Sequence, residues 1–185
     1  RALRLLLGRL WGGDQNCAAA HLAALLRLCR SQDPSGELYL PHGTNARRAY
    51  GQLLLAPRLG PPPLEEGPLP LPGALDCGPW RVSCAQEDYR GQMQGPWDFW
   101  LDRRQAPELA LRPRRTGDRL TPPGRLGKTV KKWMIEEKLP RFQREVLPVL
   151  TCGGQVAAVA GLGPDRAFAA KEGRPAWHIT VASVE

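Results

Sequence analysis

This 185-residue chain has no run of about 18 apolar residues, so no membrane-spanning helix is expected. Its five cysteines, Cys17, Cys29, Cys77, Cys84 and Cys152, include no pair at the two-residue spacing of a zinc knuckle or redox motif. The odd count fits reduced thiols, and a cytoplasmic setting is expected. Cys17 and His21 are four apart on a helical pattern with Cys29 beyond, but no fourth ligand accompanies them, and helix packing is the simpler account. Catalytic patterns are equally scarce. Gly127-Lys128-Thr129 invites comparison with a phosphate loop, but the glycine required five residues earlier is Pro122, which has no N–H to offer a phosphate. Ser83 and Ser183 have no matching His and Asp, and Asp98 and Asp102 read as turn or strand-edge acids. There is no initiator methionine and no leader segment: Arg1 stands inside a helical pattern, so the chain reads as part of something longer.

What the chain does have is charge in one place. Between Arg112 and Arg144, 33 residues hold 11 Lys and Arg against 3 acids, Asp118, Glu136 and Glu137. That excess of +8 equals the formal charge of the whole chain, and the remaining basic and acidic residues cancel. Such a local excess raises a potential that attracts a polyanion, and nucleic acid is the first candidate. A solvated basic face without a partner is the plain alternative.

The 19 prolines and 20 glycines predict short elements, many turns and a linker. Leu3, Leu6, Leu7 and Leu10 recur at helical spacing before Gly12-Gly13, and Asp14 or Asn16 can cap a second helix carrying Leu22, Leu25, Leu26 and Cys29. Together they predict a helical hairpin, ended by Asp33-Pro34-Ser35-Gly36. Strands are expected at 37–40 and 50–55, closing a first unit at 1–56. The Pro-rich range 57–73 reads as a stiff linker. Domain 74–185 is expected to be α+β, with strands near 80–84, 97–101 and 109–112, two helices, a Gly153-Gly154 hairpin and a last strand near 179–181. One of its helices is predicted over 128–138 with Val130, Trp133 and Met134 inward, and a second starts at Pro140. Trp97 and Trp100 bracket Phe99 and read as sheet packing rather than base platforms.

The second half carries a linked set of motifs. Leu111-Arg112-Pro113-Arg114-Arg115-Thr116-Gly117-Asp118-Arg119 leads to Gly127-Lys128-Thr129-Val130-Lys131-Lys132-Trp133. Then come Leu139-Pro140, Arg144, Leu147-Pro148-Val149-Leu150 and Val159-Ala160-Gly161-Leu162. In content and order this resembles the C-terminal domain of bacterial tRNA(Ile)-lysidine synthetase. His21 to Leu28, Leu40-Pro41-His42-Gly43 and Arg47-Arg48-Ala49-Tyr50 are similar to the end of that enzyme's helical middle domain.

The resemblance implies a tRNA-binding region that lies beside a catalytic domain this chain lacks. ATP and magnesium are expected to serve that other domain, and no residue here is assigned to catalysis. The implied partner is an isoleucine tRNA, gripped on its acceptor-stem side. Arg114, Arg115, Arg119, Lys128, Lys131, Lys132, Arg141 and Arg144 are the expected phosphate contacts, and Asp118 is expected to orient an Arg and fix a turn. Two rival classes stand beside this one: a protein-interaction or homodimer contact whose charge keeps it soluble, and a small nucleotide-binding enzyme using Lys128 and Thr129.

Overall fold

The computed structural model describes residues 1–13, 18–33, 35–57 and 63–184, with the side chains of 57, 141 and 142 left aside. The expected caps Asp14 and Asn16, and Cys17, lie outside the described residues. The chain divides into two compact units, Arg1–Gly60 and Pro61–Glu185.

In the first unit, helix α1 (Ala2–Trp11) stops at Gly12, whose φ of 71° lets its N–H turn back to the Gly8 carbonyl. Helix α2 (Ala19–Arg30) follows. The inward stripe of α1 is Leu3, Leu7 and Trp11, at spacing four, while Leu6 and Leu10 are exposed, contrary to the expected stripe. Leu25 of α2 is fully buried, with Leu22 and Leu28 packed around it, and Leu26 faces solvent. Strands β1 (Ser35–Leu40), β2 (Thr44–Ala49) and β3 (Gln52–Pro57) form an antiparallel meander. The single strand expected at 50–55 is therefore a correction. Tyr50 and Gly51 both take positive φ and make the turn, and 44–49 is a strand of its own although it contains Arg47-Arg48. The unit is a three-stranded sheet with two helices, where a helical hairpin with a terminal strand pair was expected.

The second unit is rich in strands. They are β4 (Gly67–Leu69), β5 (Gly73–Cys77), β6 (Trp80–Tyr89), β7 (Asp98–Asp102), β8 (Leu109–Arg112), β9 (Arg119–Leu120) and β10 (Lys128–Thr129), followed by helices α3 (Val130–Glu136) and α4 (Arg141–Arg144). Strands β11 (Val149–Cys152), β12 (Gln155–Val159), β13 (Gly163–Pro164) and β14 (Arg174–Ser183) complete it. One sheet has the order β13-β12-β11-β8-β4 and another β5-β6-β14-β7, while β9 and β10 pair alone. A single apolar core, including Phe99, Leu111, Trp133, Leu150 and Ile179, draws on both larger sheets and on α3. Trp133 and Trp177 sink their rings into it and donate their indole N–H groups to the carbonyls of Leu120 and Ala106, each at 2.9 Å.

Three expectations change here. The range read as linker contains β4, which pairs with β8 at the end of its sheet, where Pro68's missing N–H is tolerated. The helix expected over 128–138 begins at Val130, because Lys128 and Thr129 pair with Leu120 and Arg119 as β10. The last strand is ten residues long and central to its sheet, between β6 and β7. The glycine hairpin lies where it was read: Gly153 and Gly154, both at positive φ, join β11 to β12.

Candidate nucleic-acid interface

The basic segment is organised around one internal strut. Arg112, at the end of β8, is only 8% exposed. Its guanidinium donates to both carboxylate oxygens of Asp118 at 2.8 Å. Asp118 also accepts the Arg115 backbone N–H at 2.7 Å, and its own carbonyl accepts from Val130 N–H at 2.8 Å. Burial alone would raise the Asp118 carboxyl. The hydrogen bonds from Arg112 and Arg115, with the charges of Arg112 and Arg114, outweigh it and hold the group below its ordinary value. Asp118 thus orients an Arg and fixes the turn, as expected, with Arg112 as its partner, and it also ties the turn to the first residue of α3.

The second organising feature is Trp133. Its ring is buried in the core, yet the Arg125 guanidinium lies 3.9 Å from its centroid and the Lys128 ammonium 4.5 Å. Both cations are also paired. Arg125 meets Glu137 at 2.6 Å and Glu136 at 3.5 Å, and Lys128 meets Glu136 at 2.6 Å. Lys128 therefore leaves from a strand rather than from the helix that carries Lys131 and Lys132. Thr129 caps α3, its hydroxyl accepting from Lys132 N–H. Both residues that a nucleotide-loop enzyme would need are engaged in holding this corner together.

The other expected phosphate contacts separate into kinds. Lys131 and Lys132 are exposed on α3, and among the described residues neither has an ion-pair partner. Arg115 is exposed and forms a forked pair with Glu66 at 2.9 and 3.0 Å, a residue from the range read as linker. Arg119 is exposed and reaches the Gly127 carbonyl at 3.3 Å, while Arg114 is half-buried. Arg144 donates to the Leu139 carbonyl at 2.7 Å, closing the turn between α3 and α4. Arg141 begins α4, and its side chain lies outside the described residues. Glu66 and Arg125 were missed as participants. Their partners are far away in the sequence or approach across a turn, so no linear spacing marks them.

Beside this segment is a groove of about 630 Å³. Its walls include Trp97, Arg125, Trp133, Pro122 and Pro123. Trp97 stacks on Trp80, ring centroids 5.1 Å apart. Trp100 is buried and stacks on His178 at 4.1 Å. Asp98 meets His178 Nε2 at 2.8 Å, and Asp102 accepts from Arg104 N–H at 2.8 Å. The two acids therefore have separate structural partners.

Comparison with known proteins agrees with this architecture. The family model of the TilS substrate C-terminal domain matches residues 109–181. The chain is 34% identical over 194 aligned residues to the tRNA(Ile)-lysidine synthase of Symbiobacterium thermophilum, covering 98% of this chain and 40% of that protein. It is 33% identical to the enzyme of Geobacillus kaustophilus, covering 88% of this chain and 36% of the relative. The chain thus spans about two fifths or less of these curated relatives. The crystal structure of the TILS C-terminal domain superposes with a TM-score of 0.55 at 23% identity, covering 65% of this chain and 99% of that one, a likeness of fold. Residues 109–181 thus match the TilS substrate C-terminal domain family, and the chain as a whole is similar to part of the tRNA(Ile)-lysidine synthases.

Proposed function

We propose that this chain is the tRNA-binding region of a tRNA(Ile)-lysidine synthase. That cytoplasmic enzyme would use ATP to ligate lysine to the wobble cytidine of an isoleucine tRNA. Catalysis, with its ATP and magnesium, belongs in this reading to a part of the enzyme outside these 185 residues. The observation that carries the proposal is the placement of the +8 segment. It falls within the family-matched region and is built on a buried strut and a tryptophan platform. Mobile charge on a tail would attract RNA without orienting it. Charge on a fixed turn and helix can meet phosphates in one register.

The contacts are to the backbone, from Lys131, Lys132 and Arg114 first. Arg115, Arg119, Lys128 and Arg144 already have protein partners and act partly by holding their neighbours. Titrating the chain against isoleucine tRNA across a salt series tests this. If about four phosphates are neutralised, the slope of log K against log salt is about −3 to −4. A salt-independent affinity, or none, refutes it. The rival reading, a homodimer or protein contact, is favoured if sedimentation shows self-association while tRNA does not bind.

A further inference from the structure

We propose that the groove between Trp97 and the Arg125–Trp133 pair is a pocket for an unpaired nucleotide of the bound RNA. This deepens the RNA-binding reading and rests on it. A volume of about 630 Å³ lies in the range of about 300–1,000 Å³ usual for small-molecule sites. That is the size class of a nucleotide and too confined for a duplex.

The walls have the chemistry that takes bases. Trp97 is held from behind by its stack on Trp80, and its carbonyl accepts from Val181 N–H at 2.9 Å, so its ring is positioned before any ligand arrives. In the same lining, the flat Arg125 guanidinium lies on the Trp133 ring at 3.9 Å. Aromatic faces and guanidinium planes are the surfaces on which splayed bases stack. Pro122 and Pro123 stiffen one rim, so little ordering entropy is lost on binding. Gly161 lies against the Trp97 ring, where a Cβ would come within 3.1 Å of the indole, and so helps to fix its position.

The charged residues of the wall itself, Arg125 and Glu137, pair at 2.6 Å, so the cations for the flanking phosphates come from the rest of the basic stretch 112–144, to which Pro122, Pro123, Trp133 and Leu139 of the wall also belong. Met93 and Leu126 are 94% and 83% exposed. Each neighbours a lining residue in sequence, Gln94 and Arg125. A proline-rich peptide could use the same rings, but it gains nothing from the surrounding cations.

The experiment compares a short fluorescein-labelled single-stranded oligoribonucleotide with a blunt RNA duplex of equal length, by anisotropy, on the whole chain. Trp97→Leu should weaken single-strand binding about tenfold and leave duplex binding within about twofold, while Trp97→Phe restores most of the loss. Arg125→Gln, at an exposed position, should also weaken the single strand more than the duplex and serves if Trp97→Leu melts early. Single-strand affinity unchanged in both variants, with the duplex still bound, overturns the pocket and leaves the RNA-binding reading standing. Failure of both RNAs to bind overturns both. Displacement of the single strand by a proline-rich peptide of higher affinity would also overturn the pocket.

Discussion

Replacing Asp118 with alanine should destabilise the second unit by about 3 kcal/mol. The substitution deletes two charge-assisted hydrogen bonds at 2.8 Å and the acceptor for Arg115 N–H. It leaves Arg112, a residue only 8% exposed, with the Pro113 carbonyl, at 3.0 Å, as the remaining acceptor for its guanidinium. Removing one partner of a buried pair costs about 3–5 kcal/mol, and the surviving carbonyl bond argues for the low end. For a unit of this size, with about 3 °C per kcal/mol, the melting temperature should fall by about 9 °C. Urea unfolding followed by tryptophan fluorescence reads this unit well, since five of the six tryptophans lie within it. The double variant Arg112→Met, Asp118→Leu removes the stranded charge and should recover all but about 1 kcal/mol, the part owed to the Arg115 N–H. Acid should erase the difference. The Asp118 carboxyl is held below 3.8, so its contribution is complete above that value and is lost as pH falls through the depressed folded value. A single variant that loses less than about 1 kcal/mol, or a double variant as unstable as the single, would refute the strut.

Lys131→Ala with Lys132→Ala should make the salt slope for tRNA shallower by about 1.5 and leave the melting temperature nearly unchanged, since both side chains are exposed. An unaltered slope would remove this face of α3 from the interface. Gly153→Val should cost about 1–2 kcal/mol in the same unfolding assay, because φ at this position is 53° and valine is strained there. An unchanged midpoint would mean that the hairpin tolerates a different turn. Burial pushes the Cys77 and Cys84 thiols up to about 11, so iodoacetamide at pH 8 should label Cys29 and Cys152 well before them. Mass spectrometry of the timed products checks the order.

Local chemistry made some of this fold legible in advance. Gly12 ends α1 and the Gly153-Gly154 pair turns β11 into β12, because positive φ is open to glycine and few other residues. Trp133, Val130 and Met134 were read as inward from helical spacing and are buried. Asp118 was expected to orient an Arg and fix a turn, and it accepts from the Arg112 guanidinium and the Arg115 backbone N–H. Elements stabilised from a distance were not legible. Strand β4 looks like linker because Pro68 and Pro70 disfavour regular structure locally, and it becomes a strand by pairing with β8, Gly67 with Leu111 and Leu69 with Leu109, far away in the sequence. Lys128 looks helical by its spacing to Lys131 and Lys132, but the pairing of β10 with β9 claims it.

The amino-acid sequence by itself determined that one stretch carries the chain's net charge, that several of its turns fall at particular glycines, and that Trp133 would face the core. These follow from residue type and near-neighbour spacing, which survive any arrangement of the chain. Only the tertiary structure decided which charges are offered outward. Arg115 meets Glu66, Lys128 and Arg125 meet Glu136 and Glu137 over Trp133, and Arg112 is buried on Asp118, while Lys131 and Lys132 project into solvent. The physical reason is that an ion pair needs a few ångströms of separation. In this fold that separation is set by strand pairing and core packing between residues as far apart as Glu66 and Arg115.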